Sequence, residues 1–360
     1  MAKAPAPFEC TYSPNFPELL MQLDISLAVS TYQAGKVVFL SPVNENTLIQ
    51  LPRNFTFAMA LGIKGNKLAV AARDEVNILS NDPSLAANYP GQPNTYDNFY
   101  VPRTTYHCGR LNIHGFHWDD RGLLAVNTQF SCLSYINESH SFEPVWKPPF
   151  ITELAPEDRC HLNGMAIRND RPEYVTTLGS GDKAGCWRET RPFGGTLIHV
   201  ESSEIILEKL GMPHTPKFLN GELYALLSAT GELIKIDAQR GTYDVVVQLD
   251  GFVRGMCLVQ DYLFVGLSRV RQNHPTENLL PIADKAKSAG IVAVHLPTGT
   301  VHAKLTYRAS VEEIFDVEAL PGMKRPGIIN TLNDHYKLSL TAPGMSWWGK
   351  PEEKDGADKD

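Results

Sequence analysis

Three histidines, His114, His161 and His214, stand out in this 360-residue chain together with Asp316, Glu313, Arg254 and Asn163 as side chains that could do chemistry jointly. Imidazole nitrogens and carboxylate oxygens are ligands for a divalent metal. Three histidines suit zinc, two histidines with a carboxylate suit non-haem iron, and manganese is a further candidate. Asp316 is a possible additional ligand. Arg254 is suited to holding an anionic substrate by a bidentate contact. Glu313 and Asp316 are candidates for general acid or base, with Asn163 beside them. The plain alternative for each histidine is a hydrogen-bonded structural residue near the end of a buried strand. What argues for a joint role is recurrence at related positions in a chain holding eleven histidines.

The elements that must position these residues are short strands. Helical periodicity is almost absent, and apolar runs such as KLAVAA (67–72), GLLAVNT (122–128) and DYLFVGL (261–267) alternate with Gly, Asn, Asp and Pro. Before each such run lies a segment of common pattern: AMALGI (58–63), IHGFHW (113–118), LNGMAI (162–167), PHTPKF (213–218), VRGMCL (253–258) and FDVEAL (315–320). Aligned, their second positions read Met59, His114, Asn163, His214, Arg254 and Asp316, often followed by a small residue. A period of about 50 residues with several strands per repeat predicts propeller blades. The expected fold is therefore all-β, a six-bladed β-propeller of four-stranded antiparallel blades. His161, two residues before Asn163, is expected on the same side of its strand.

Naming the strands of a blade A to D from the axis outward, LAVSTYQAGKVVFLSP (27–42) reads as a B–C pair whose A strand is SVEEIFDVEAL (310–320). The last blade should thus be closed by strands from both chain ends, removing an exposed edge. GIINTL (327–332) is not placed by this scheme and keeps a seventh, partial blade open as an alternative. The domain reading is an N-terminal extension (1–22), one propeller (23–340) and a largely disordered charged tail (341–360).

The A→B and C→D connections are uniformly short, whereas the B→C and D→A connections are long, including 82–107, 143–160, 179–194 and 268–289. Long loops inside a compact domain are usually functional. They share a face with the beginnings of the A strands, so the site is expected at that mouth of the axial channel. Candidate substrate-binding residues there are Trp187 and Arg188 in the glycine-rich loop 179–190, Arg73, Arg271 and Tyr32. Surface salt-bridging is the alternative for Arg73 and Arg271.

A formal net charge of −7 with no Lys/Arg-rich stripe argues against nucleic-acid binding. No apolar run approaches a membrane span, and the N-terminal residues lack the apolar core of a signal peptide. The six cysteines include no CxxC pair, and Cys132 and Cys160 read as small buried hydrophobes, which fits a cytoplasmic protein with reduced thiols. No G-x-S-x-G elbow or phosphate-cradling glycine motif occurs.

The segments STYQAGK (30–36), FSCLSYI (130–136), APEDRCHLNGMA (155–166), WRET (187–190), MPHTPK (212–217), GFVRGM (251–256), VGLSRVR (265–271) and VEEIFDVEALPG (311–322) resemble an uncharacterised bacterial β-propeller family. The resemblance spans roughly residues 20–335. It implies a propeller and no established activity. The expectation for function is a metal-dependent enzyme, of hydrolase or lyase type, acting on a small polar or anionic substrate at the channel mouth. An iron-dependent oxidoreductase with a His/His/carboxylate site is one alternative. A non-catalytic scaffold binding a small molecule or peptide is the other.

Overall fold

The computed structural model describes residues 5–270 and 279–350; Arg271 lies outside the described residues. Six antiparallel sheets surround one axis as the blades of a propeller. From the axis outward, the first blade is Leu61–Lys64, Lys67–Ala71, Val76–Asn81 and Asn98–Tyr106. The second is Ile113–Trp118, Leu123–Asn127, Cys132–Ile136 and Glu143–Trp146, and the third is Leu162–Arg168, Arg171–Thr177, Gly195–His199 and Ile205–Leu210. The fourth is Pro213–Leu219, Glu222–Leu227, Glu232–Asp237 and Thr242–Gln248. The fifth is Phe252–Val259, Tyr262–Ser268, Gly290–His295 and Thr300–Tyr307.

Blades stack face to face, so their middle strands are covered on both sides. Leu123–Asn127 and Cys132–Ile136 are buried at every residue, whereas the outer strand Thr242–Gln248 is mostly exposed. That is why the middle strands read as unbroken apolar runs. The core lies between blades: Leu124 and Leu133 of the second pack with Leu162, Val175 and Ile198 of the third.

The sixth blade joins the chain ends. Asp316–Pro321 is its inner strand and pairs antiparallel with Ile25–Thr31, from Ser30 opposite Asp316 to Ile25 opposite Pro321. Lys36–Asn44 and Thr47–Asn54 complete it. The unplaced GIINTL segment starts no seventh blade. Pro326–Ile328 adds in parallel to the outer strand of the first blade. The N-terminal residues are likewise integrated: Cys10–Tyr12 extends the fifth blade, and helix Asn15–Gln22 buries Phe16, Leu19 and Leu20. Of the stretch expected as a tail, residues up to 348 take part in a hairpin, Ser339–Ala342 with Met345–Trp348. Its Trp348 packs on Tyr89 and Phe99 and donates from Nε1 to the Leu85 carbonyl at 2.8 Å. No helix among the described residues is long and apolar enough to cross a membrane.

The inner strands carry the feature that shapes the axis. Pairing with the second strand slips between Ala125 and Asn127 opposite His114, between Leu162 and Gly164, between His214 and Lys217, and between Arg254 and Met256. A bulge bends a strand and re-aims the adjacent side chain. The small residue after each aligned position is where the bulge sits. Gly255 shows why it must be small. Its φ is +61°, and a Cβ there would lie 2.5 Å from Cα of Asp316 in the next blade. Gly255→Ala is therefore expected to cost about 3 kcal/mol, from left-handed strain plus overpacking. A loss of unfolding free energy in urea of less than about 1 kcal/mol would show that the two inner strands can move apart.

Candidate functional site

His114 and His214 occupy equivalent bulged positions of the second and fourth blades, and their anchoring is equivalent too. Nδ1 of His114 donates to the Asn112 carbonyl (2.9 Å) and lies 2.7 Å from the Thr128 hydroxyl. Nδ1 of His214 donates to the Met212 carbonyl (3.0 Å) and lies 2.8 Å from the Ser228 hydroxyl. A carbonyl only accepts, so each Nδ1 carries the proton and each Nε2 keeps its lone pair. The two hydroxyls donate onward to the Leu162 and Val253 carbonyls of the next blade.

His161 joins by a different route from the one the strand pattern suggested. It does not alternate with Asn163 along a strand; it precedes the strand, at φ +52°. Asn112 and Met212, at +51° and +53°, hold the same repeat position and turn their carbonyls to a histidine. In the third blade that position supplies the imidazole itself. A left-handed backbone is uncommon for such a residue and must be held by its surroundings. The holder is Asp158, whose two oxygens each lie 3.0 Å from Nδ1 of His161.

One ring nitrogen from each of the three histidines lies within 4.8 Å of the other two. The ring centroids of His114 are 4.9 Å from those of His161 and 6.4 Å from those of His214. Nε2 of His214 is buried without a partner. A purely structural histidine would use both nitrogens, because a buried unpaired one costs about 1–3 kcal/mol. Burial holds the His114 imidazole well below its ordinary range, helped by His161 and Arg254. His214 is lowered likewise, by burial first and then by Arg254. Both rings are thus neutral, the form that ligates metal.

Asp158 has further partners. It accepts from Nε1 of Trp187 (3.0 Å) and lies 3.6 Å from Arg188. The Trp187 ring packs against His161 at a tilt of 39°, with centroids 4.3 Å apart. Arg159 braces this loop pair through Glu157 (2.8 Å), Asp182 (2.8 Å) and Glu153 (3.1 Å). Neither Asp158 nor Arg159 emerged from the sequence reading, although both lie inside the APEDRCHLNGMA segment. Cys160 beside them is fully buried, with its thiol pushed up to about 12 by burial, and it is no nucleophile.

A cavity of about 320 Å³ opens at the mouth, and its lining includes His114, His161, Trp187, Arg188, Arg254, Glu313 and Tyr32. All come from inner strands, the segments leading into them, or B→C connections. Arg254 donates to Glu313 at 2.6 Å, and its guanidinium lies between the Phe252 and Phe315 rings. A second, smaller cavity of about 60 Å³ continues along the axis, bordered by His114, His214, Asn163, Arg254, Asp316 and Lys217. Asn163 and Asp316 border this lower cavity and not the mouth. Asn163 accepts from Thr176 and donates to the Pro213 carbonyl of the fourth blade, both at 2.8 Å. Asp316 accepts from the backbone N–H of Leu61 and Val317, both at 2.9 Å, and so ties the sixth blade to the first. Burial raises its carboxyl to about 7. It is not part of the histidine group. Arg73 does not line the mouth cavity; it reaches Asp74 (3.3 Å) and the face of Phe57.

The neutral histidines fix a pH dependence. An unfolded chain protonates its imidazoles as pH falls through about 6.5, whereas the folded metal-free protein resists, so stability present above that pH is lost below it. The slope reaches about 1.4 kcal/mol per pH unit for each ring. The urea midpoint of metal-free protein should drop between pH 7 and pH 5, and drop less in His214→Asn. Equal slopes would contradict a neutral, buried His214.

Among solved structures the chain is similar to one from a nidogen/laminin complex, with a TM-score of 0.52 and 10% identity over 83% of this chain and 99% of that one. It also matches the Neurospora crassa Pan2 WD40 domain, with a TM-score of 0.38 and 11% identity over 68% of this chain and 64% of that one. At 10% identity, the first of these speaks only to fold. No curated protein matches the sequence. The model of a domain of unknown function, DUF4915, matches residues 14–329. With most of the propeller inside that match, the chain belongs to the DUF4915 family.

Proposed function

We propose that His114, His161 and His214 bind one divalent transition metal through their Nε2 atoms, and that the loaded site performs hydrolase- or lyase-type chemistry on a small anionic substrate in the mouth cavity. The observation that carries this reading is the convergence of three imidazoles, each with Nδ1 fixed by an oxygen acceptor. Such outer partners are what orient metal-ligating histidines and set their tautomer. Zinc–nitrogen bonds of about 2.0–2.1 Å place tetrahedral ligands about 3.3 Å apart, so loading draws the three rings together from their present spread. The cluster contains no carboxylate among the described residues, which favours a three-histidine set of zinc type over a His/His/carboxylate iron site.

The chain's own residues divide the remaining work. Arg254 and Arg188 attract and orient the anion. Glu313 shares the mouth cavity with His114 and His161 and would move a proton once substrate draws on Arg254. A metal supplies Lewis acidity or an activated water. Trp187 and Tyr32 are walls against which a ligand can pack.

The test is metal analysis followed by titration of metal-free protein with zinc, manganese and ferrous iron. One ion per chain is expected, with the affinity falling about 100-fold or more in His114→Ala or His214→Ala, beyond the effect typical of an outer-shell loss. Circular dichroism controls for folding. Absence of a stoichiometric ion, together with unchanged binding in the His114→Ala/His214→Ala double variant, overturns the metal site. Retained metal with no turnover of any carboxylate or phosphate ester, in wild type and Glu313→Gln alike, favours a non-catalytic binding platform.

A further inference from the structure

We infer that the mouth cavity is built for a small ligand bearing two acidic groups joined by a short apolar linker, one group held at the floor by Arg254 and the other at the rim by Arg188 and Arg191. The inference rests on the reading of this cavity as a ligand site, but not on the metal. Four guanidinium groups line the cavity, those of Arg188, Arg191, Arg254 and Arg269, against two carboxylates, Asp158 and Glu313. Arg254 pairs with Glu313, Arg188 lies 3.6 Å from Asp158, and Arg269 pairs with Glu312 at 3.1 Å, so the placement of the guanidinium groups, and not a surplus of charge, is what bears on the ligand.

The cations are grouped at two places. Arg254 borders both the mouth and the lower cavity, as do His114 and Phe315, so it sits at the floor between them. Packing between Phe252 and Phe315 and the bond to Glu313 fix its plane, while its Nε is buried without a partner. A fixed fork with an unused N–H favours a planar acidic group. Arg188 and Arg191 border only the mouth. Both lie over the Trp187 ring, at 4.4 and 5.1 Å from its centroid. That ring is itself immobilised by Asp158 and His161. Arg188 is held lightly, with half its side chain exposed and its Asp158 contact at 3.6 Å, so it can turn to an incoming anion at small cost. Much of the remaining wall is apolar, with Met59, Met212, Val270 and Leu280. Two cationic stations joined by an apolar wall match a molecule with an acid at each end.

Isothermal titration calorimetry on the full chain, metal-free and metal-loaded, compares succinate, glutarate and adipate with butyrate, pentanoate and hexanoate. One diacid should bind at least about tenfold tighter than the monoacid of equal length, the increment of a second charge-assisted contact. The Arg188→Gln/Arg191→Gln double variant should remove that increment, bringing the diacid down to the affinity of the monoacid of equal length in the same variant. Arg240→Gln, an exposed outer-turn control, should change neither. Diacids no tighter than monoacids, or a preference that survives the double variant, overturn the inference. A diacid preference in a protein that binds no metal removes only the metal reading, and metal binding without a diacid preference removes only this one.

Discussion

Six inner strands must meet around one line, and polar groups there cannot rely on bulk water. Each has to be satisfied by the neighbouring blade, and the rest of the structure depends on how this is done. Thr128 donates to Leu162, Asn163 to Pro213, Ser228 to Val253 and Ser268 to Ile314, while Asp316 accepts from Leu61. These are five blade-to-blade latches of one design, a short polar side chain near the axis reaching the next inner strand. Buried polar groups left without such partners would each cost a large share of a domain's net stability. The ring therefore closes through chemistry as well as through apolar packing.

The site uses the same latches. Thr128 and Ser228 tie blades together and also face Nδ1 of His114 and His214. Whatever holds the blades in register also holds the imidazoles. The ring is unequal around its axis as a result. The second, third and fourth blades supply the three histidines. The fifth and sixth supply Arg254, Glu313 and Phe315, and the B→C connection of the third contributes the Trp187 wall. Nearly equivalent repeats thus present a histidine half and an arginine-bearing half around the axis, through different residues at one repeat position.

Much of this was legible in the sequence, for physical reasons. Strands covered on both faces must be apolar at successive positions, so the middle strands announced themselves, and their spacing gave the blade count. His114 and His214 were legible because the axis imposes the same demand on every repeat. The small residue after them was visible, but its meaning, a bulge, was not, because pairing register is not written in one strand alone. Strand alternation points to His161 for the wrong reason, because a left-handed turn and not a strand delivers it. Asp158 and Arg159 were missed because their roles depend on partners in a loop more than twenty residues away, Trp187 and Asp182. Pro326–Ile328 was unplaceable because a three-residue parallel strand has no pattern of its own.

The strongest argument that the axis does more than hold blades together comes from what the latches leave over. Had the axis only a structural task, every polar atom at its centre would be paired, as those of Asn163 are. Instead His214 Nε2, an acceptor, and Arg254 Nε, a donor, come from adjacent blades, border the same lower cavity and both lack partners. The other unpaired buried side-chain atoms among the described residues, on Ser30, Gln50, Asn127, Ser134, Trp146 and Tyr307, border neither of the two axial cavities. An imidazole and a guanidinium are rigid planes, and both are held here by their other atoms, so neither can turn to find a partner. Apolar side chains of similar volume would fill the same space without that cost. Two fixed, unpaired polar atoms beside two further histidines are a cost that packing alone does not explain, and an occupant hydrogen-bonded to both would offset it.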